Sequence, residues 1–375
     1  MRVFLLVLAC LASLGLPMPS VADASAPLQI RFVNPGFASG GFWRSVSDTM
    51  SAAAEQLGIS LEISYGEREW PRMRQNAEAA IASPSPPDYL ILVNEHGQAA
   101  DLVRDANDRG IPTLLLLNDL TERQVARVGR AGRELPYWLG SLTPDNERAG
   151  HEMATALFDA AHRLHPRRQR IALMTLAGDF ATPASQARLA GLDRALAAAP
   201  DVDELRRLMV DWSYDEAYRR IDTWLSTGRR FDAIWAANDP IALGAMAAAR
   251  RHGLAAGQDY AVVGMNWSSP ALASVRNGEM TLTHGGHFLA GAWAMVLLYD
   301  LYHGIDVTAE TPHLRFPMAA LRAPIPPALR DVLTEKAWSR IDFRRFSRYL
   351  HPGRDRYDFS LTALQSALRP LEAPE

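Results

Sequence analysis

The sequence holds a single cysteine, Cys10, in 375 residues. Without a second thiol, an intramolecular disulfide framework, a thiolate zinc cluster and an iron–sulfur site are excluded. An excess of either charge is missing too: 39 Lys plus Arg face 42 Asp plus Glu, a formal net charge of −3. Such a balance exerts no general pull on nucleic acid or anionic membranes. Catalytic signatures are equally scarce. No Gly-x-Ser-x-Gly elbow, Walker-type glycine loop or His-Glu-x-x-His occurs, and the loop from Gly36 to Gly41 lacks the dinucleotide-binding spacing. The pairs His162/His165 and His284/His287 have a spacing that suits one helix face, but neither has a third ligand marked nearby. No nucleophile, base and orienter can be assembled, so the expectation is a protein that is not an enzyme and carries no cofactor and no metal.

What is present is a composition of 48% hydrophobic and 22% charged residues, enough apolar side chains for a large core. The length suggests roughly two domains of about 150 residues each. Residues 1–24 combine Arg2, an apolar run from Val3 to Leu16 and the small-x-small sequence Ala22-Asp23-Ala24, the three parts of a cleavable secretory signal peptide. The run is shorter than the ~20 residues that a membrane-spanning helix needs. Cleavage after Ala24 removes Cys10 and places the mature chain, free of cysteine, in the periplasm.

Short apolar runs then alternate with amphipathic stretches, the pattern of βαβ units and parallel sheets. Strands are expected at 30–34, 61–65, 89–93 and 113–117, and again at 171–176, 208–210, 233–236 and 260–263. Helices are expected at 42–57, 71–82, 97–109, 146–162, 184–199, 214–226 and 240–252. The expected fold class is α/β with two doubly wound parallel-sheet lobes, whose functional loops lie at the carboxyl ends of the strands. Those loops carry Asn34, Asn94, Asn118, Asp119, Asp211, Asn238, Asp239 and Asn266, interleaved with Phe37, Phe42, Trp43, Trp212 and Trp267. Amides and carboxylates exchange hydrogen bonds with hydroxyl groups, and flat aromatic faces pack on the apolar face of a sugar ring. Asn and Asp also favour turns and helix N-caps. The recurrence of the set at successive strand ends favours a polyhydroxylated neutral ligand.

Two segments carry a family resemblance. Phe231-Asp232-Ala233-Ile234-Trp235-Ala236-Ala237-Asn238-Asp239-Pro240-Ile241-Ala242-Leu243-Gly244 resembles the strand-loop-helix of type I periplasmic substrate-binding proteins, the ribose- and galactose-binding class, and Tyr260-Ala261-Val262-Val263-Gly264-Met265-Asn266 resembles that class's Val-Val-Gly-Phe-Asp. Weaker matches are Asp145-Asn146 followed by Ala149-Gly150, and Trp212 followed by Tyr214-Asp215-Glu216-Ala217. The resemblance implies three chain crossings that form a hinge, with lobe one at 28–141 plus 285–314, lobe two at 142–284 plus 315–330, and a C-terminal extension at 331–375. It implies ring-stacking by Phe42 and Trp43 from one lobe and Trp212 from the other. Asn118 or Asp119 would stand at the family's acidic sugar ligand, with Asn238 and Asn266 at its hydroxyl-binding Asn and Asp. Gln186 falls where sugar binders often carry Arg, with Arg188 two residues on, and His284 completes the candidate set.

The implied function is that of a monomeric periplasmic protein that closes its lobes on a sugar-like ligand and delivers it to the membrane permease of an ABC importer. Repressors of similar fold carry a helix-turn-helix where this chain has its signal peptide, so nucleic acid is not an expected partner. The extension holds Trp338, Phe343, Phe346, Tyr349, Tyr357 and Phe359 among several arginines. It reads either as an added helix whose aromatic stripe, Ile341, Phe346, Tyr349 and Leu350, packs on a lobe while the arginines face solvent, or as a docking surface for a membrane partner. The second reading, with the unfamiliar Gly285-Gly286-His287-Phe288 segment, would suit a sensor that signals to a membrane histidine kinase or diguanylate cyclase.

Overall fold

Tyr-Leu-Ile-Leu at 89–92 and Thr-Leu-Leu-Leu at 113–116 are buried at every residue, as strands covered by helices on both faces must be. In a computed structural model, which describes residues 27–308 and 311–369, such strands alternate with helices along most of the chain. The first series is β1 (Gln29–Asn34), α1 (Gly41–Leu57), β2 (Ser60–Tyr65), α2 (Trp70–Ile81), β3 (Tyr89–Leu92), α3 (Ala99–Asp108), β4 (Thr113–Leu116), α4 (Glu122–Val128) and β5 (Trp138–Pro144). The second is α5 (Asn146–Leu164), β6 (Ile171–Ala177), α6 (Pro183–Ala197), β7 (Val202–Met209), α7 (Tyr214–Ser226), β8 (Ala233–Ala236), α8 (Asp239–Arg251), β9 (Ala261–Met265), α9 (Ser269–Arg276) and β10 (Leu282–Gly285). Then follow α10 (Ala290–Tyr302), β11 (His313–Phe316), β12 (Ala319–Leu321), α11 (Pro327–Glu335) and α12 (Leu361–Ser366). The expected signal peptide lies outside the described residues.

The strands form two six-stranded sheets, ordered β11-β5-β4-β3-β1-β2 and β12-β10-β9-β8-β6-β7. All described pairings are parallel except β12 on β10. The chain therefore passes from one sheet to the other after β5, after β10, and between β11 and β12. Among the described residues no helix is long and apolar enough to cross a membrane.

Two departures from the sequence expectation have physical causes. β7 is eight residues long rather than a short strand at 208–210. It is the outer strand of its sheet and mostly half-buried, so Asp203, Glu204, Arg206 and Arg207 interrupt the apolar run that marks an inner strand. α10 is apolar around almost its whole circumference, Ala-Gly-Ala-Trp-Ala-Met-Val-Leu-Leu-Tyr-Asp-Leu-Tyr, which calls for cover on every side. α1 and the first sheet cover one side, and the C-terminal extension covers the other.

The extension is packed on the body as expected, but its aromatic stretch runs through short 3-10 turns at Trp338–Arg340 and Phe343–Phe346 rather than the expected helix. Trp338, Phe343 and Phe346 are buried, and Trp293 of α10 meets Phe346 and Phe359 with ring centroids 4.5 and 4.7 Å away. The buried carboxylate of Asp300 accepts hydrogen bonds from the Ser347 hydroxyl, the Arg348 backbone N–H at 2.6 Å and the Tyr357 hydroxyl at 2.8 Å. Gln56 of α1 brackets the same segment, donating to the Ile341 carbonyl and accepting from the Phe343 N–H, both at 2.9 Å. At its start, α11 rests on α9 of the other half.

Candidate functional site

Several helices begin at the carboxyl ends of the strands with a side-chain cap. Asp145 accepts from the Arg148 N–H, Ser213 from Glu216, Asn238 from Ile241 and Ser268 from Ala271. The loops leading into these helices face those that follow β1 to β4 of the first sheet across a cleft of about 300 Å³. The first sheet contributes Phe37, Phe42, Trp43, Arg68, Glu95, Leu117 and Asn118, and the second contributes Thr182, Arg188, Asp211, Trp212, Asn238 and Asn266. Pro144 and Asn146 at one crossing and His287 at another complete the wall.

Backbone strain concentrates here. Arg68, Leu117, Asp211, Trp212 and Asn266 all line the cleft with positive φ, at 62°, 67°, 47°, 59° and 142°. Non-glycine residues hold such angles only where their surroundings impose them. For Trp212 the surroundings are legible. Its backbone carbonyl accepts from the Asn238 amide at 3.2 Å, and its indole N–H donates to Asp179 at 2.6 Å. Asp179 also accepts from the backbone N–H groups of Ala181 and Thr182 and from the Thr182 hydroxyl. Burial pushes the Asp179 carboxyl up, and these hydrogen bonds outweigh it, so its net shift is downward.

Beneath Trp212 lies Arg188, 4% exposed, its guanidinium 5.3 Å from the indole centroid. It donates to the Asn146 amide oxygen at 2.9 Å and the Ala237 carbonyl at 2.7 Å, and contacts His287 Nε2 at 3.3 Å. Burial pulls the guanidinium below its usual value, against the pull of Asp239 beneath it. Burial likewise pushes Asp239 up, opposed by hydrogen bonds from the Ser268 N–H and the Thr283 hydroxyl. His287 is held well below its ordinary value by burial first and then by Arg188 and His284, so it is neutral at pH 7, and Phe42 stacks on it at 4.5 Å and 27°. Across the cleft, Arg68 and the buried Glu95 form an ion pair at 2.5 Å.

α6 holds Arg188 at this depth because it packs on α5 with almost no gap. A Cβ on Gly191 would stand 2.0 Å from the Glu147 carbonyl oxygen, and one on Gly150 2.1 Å from the Arg188 carbonyl oxygen. Both positions require glycine.

Of the residues singled out from sequence, the structure brings Phe42, Trp43, Asn118, Arg188, Trp212, Asn238 and Asn266 together on the cleft wall. Three of the ten ligand-site candidates stand elsewhere. Asp119 turns away, bonded to the Ser141 hydroxyl and His313, both at 2.7 Å, beside a separate depression. Leu117 with positive φ redirects the chain so that Asn118 alone points inward. Gln186 lies on the exposed side of α6 and donates to the Phe180 carbonyl at 2.8 Å. His284 is inside β10 with Nε2 on Glu152 at 3.0 Å, and His287, three residues on in the short turn after the strand, reaches the cleft in its place. Asn34 and Asn94 are buried loop braces, bonded to Ser47 and the Trp43 carbonyl and to the Asp119 carbonyl and Gln124. Sequence reasoning missed Arg68, Glu95, Asn146 and Thr182. Glu95 and Thr182 had a signal in their places in the loops after β3 and β6, and Asn146 in the Asp145-Asn146 match; Arg68 follows β2 in a segment with no amide or aromatic residue beside it but Trp70.

A family model described as a periplasmic binding protein domain matches residues 30–305. The chain belongs to this family. It is therefore a solute-binding protein and not an enzyme. The crystal structure of a periplasmic sugar-binding protein from Pseudomonas fluorescens superposes with a TM-score of 0.80 at 34% identity, covering 90% of this chain and 99% of that one. A xylitol-binding protein of Mycolicibacterium smegmatis is 25% identical over 78% of this chain and 72% of its own length. A D-apiose import binding protein of Paraburkholderia graminis is 24% identical over 64% of this chain and 70% of its own. In this binding protein β11, β12 and the C-terminal extension lie past the end of the family match.

Proposed function

We propose that the protein binds a sugar or sugar-like polyhydroxylated small molecule in the cleft, closes its two halves around it, and delivers it in the periplasm to the membrane permease of an ABC importer. The observation that carries this reading is the wall chemistry. Aromatic faces from both halves, Phe42 and Trp43 against Trp212, stand with amides of Asn118 and Asn266 and the guanidinium of Arg188. Flat apolar faces and bidirectional hydrogen-bonding groups are what a hydroxylated ring requires. The xylitol- and D-apiose-binding relatives support the ligand class, and the word import in the latter's name supports the delivery role. The crossings after β5, after β10 and between β11 and β12 supply the hinge, and the protein works as a secreted monomer with residues 1–24 removed.

The test is calorimetric titration of the mature chain with a panel of pentoses, hexoses, polyols and nucleosides, alongside mass spectrometry of any copurifying molecule. Saturable binding of a carbohydrate or polyol is expected, together with loss of its uptake in cells lacking the protein. Binding of none of them, or uptake that persists at the normal rate, overturns the reading.

A further inference from the structure

The cleft has an annex. A second chamber of about 270 Å³ shares Gly41, Phe42, Pro240 and Asn266 with the cleft as common walls. Its far side is made of Trp267, Phe288 and three residues of the C-terminal extension, Leu333, Lys336 and Trp338. These last three lie beyond the residues matched by the family model. The extension reaches the chamber because Lys336 ends α11 with a φ of 54°, turning the chain so that Trp338 packs on Phe288 with centroids 5.2 Å apart. Phe288 meets Trp267 edge-on in turn, at 6.2 Å.

Two features mark this chamber as more than a packing gap. Its aromatic walls are joined by the hydroxyls of Ser45, Ser268 and Ser269 and by the exposed cation of Lys336, a mixed lining of the kind found in small-molecule sites. The indole N–H of Trp267 is satisfied by the Ala319 carbonyl at 3.1 Å, but that of Trp338 is buried with no acceptor. A buried donor without a partner is unfavourable, and a small turn of the Trp338 indole, which lines the chamber, would bring it to an oxygen held there.

We propose that the chamber receives the second ring of a glycoside whose first ring lies in the cleft, so that the preferred ligand is a disaccharide rather than a free monosaccharide. The inference rests on the cleft being a sugar site. The cleft alone is at the small end of the ~300–1,000 Å³ typical of ligand pockets, and the annex extends it past Phe42. A pyranose there lays its apolar face on the tryptophans and offers hydroxyls to Ser268, Ser269, Lys336 and the Trp338 N–H.

Calorimetry on the full mature chain with glucose, galactose and xylose, and with cellobiose, lactose and xylobiose, tests this. At least one disaccharide is expected to bind about tenfold or more tightly than its component monosaccharides. Ser45→Trp fills the annex from α1 without touching the cleft, and should erase that margin while leaving monosaccharide affinity within about twofold. Trp338→Phe keeps the ring, removes the N–H, and should weaken the disaccharide alone. Monosaccharides that bind as tightly as disaccharides, or a Ser45→Trp chain weakened equally for both, overturn the annex and leave the cleft a sugar site. Failure of every carbohydrate overturns the sugar reading and the annex together.

Discussion

The side-chain oxygen of Asn118 accepts a hydrogen bond from the backbone N–H of Ala184 at 3.2 Å. Asn118 follows β4 of the first sheet, and Ala184 lies in the first turn of α6 on the second, so this bond joins the two halves directly across the cleft. It also spends an acceptor of a residue that faces the ligand space.

Asn118→Ala should therefore loosen closure. One neutral hydrogen bond contributes about 0.5–1.5 kcal/mol, enough to shift a balance between open and closed forms. Small-angle scattering of the ligand-free variant should give a larger radius of gyration, and ligand affinity should fall severalfold. An unchanged radius with unchanged affinity would remove Asn118 from both roles.

Trp212→Ala takes away the indole that covers Arg188 and faces the cleft. The loss of one aromatic face should cost about 1–3 kcal/mol of binding, or roughly 5- to 150-fold in Kd by calorimetry. Global stability should move less, since Trp212 is only partly buried. A large drop in melting temperature with intact affinity would make it a core residue instead.

Gly191→Ala places a methyl 2.0 Å from the Glu147 carbonyl oxygen. The backbone cannot yield locally, so α6 must move off α5, at about 1–3 kcal/mol of overpacking cost. Because α6 carries Arg188, chemical denaturation and ligand titration should both report the change. A variant less stable but with normal affinity would show that Arg188 does not depend on this contact.

His284 and His287 are held neutral, both pulled below their ordinary value by burial. Glu152 opposes the shift at His284, while Arg188 lowers both. The unfolded chain takes up protons on these rings near pH 6.5 while the folded chain resists, so stability is full above that pH and falls as the pH drops below it. His287, held well below its ordinary value, should add a slope approaching ~1.4 kcal/mol per pH unit, and His284 a smaller one because Glu152 opposes its shift. Urea unfolding from pH 8 to 5 should show the loss, and His284→Gln should flatten part of it. His313 acts in the opposite sense, since its hydrogen bond to Asp119 raises its pKa against a smaller desolvation; its contribution is present below pH 6.5 and fades as the pH rises through the raised value.

Asp300→Ala removes the shared acceptor of Ser347, Arg348 and Tyr357. The donors left behind are partly buried, and the extension should loosen from α10. Limited trypsin digestion, monitored by mass spectrometry, should then cut at Arg344, Arg345 or Arg348 far faster than in the parent chain. Equal cleavage rates would mean that the aromatic contacts of Trp293 hold the segment unaided.

Much of this architecture was readable in advance. Uninterrupted apolar runs at β3, β4, β8 and β9 can belong only to strands covered on both faces, and the amphipathic stretches between them fix a βαβ order with loops at one edge. That order alone puts Trp212, Asn238 and Asn266 at one edge of the second sheet and Asn118 at the same edge of the first. It does not decide which way a side chain points. Asp119 is next to Asn118 in sequence but faces another surface, because the left-handed turn at Leu117 gives only one of the pair to the cleft.

The same division holds for the charged and terminal parts of the chain. A single cysteine and a balanced charge determined that no intramolecular disulfide framework forms and that nothing pulls the chain generally onto nucleic acid, since those properties are additive over residues and need no coordinates. Tertiary structure alone decided that Arg68 meets Glu95 from two separate loops, that His287 replaces His284, and that the aromatic residues of the extension close over α10 and wall a chamber beside the cleft. Each of these depends on which distant segments touch, and contact between segments far apart in sequence is set by the packing of the whole fold.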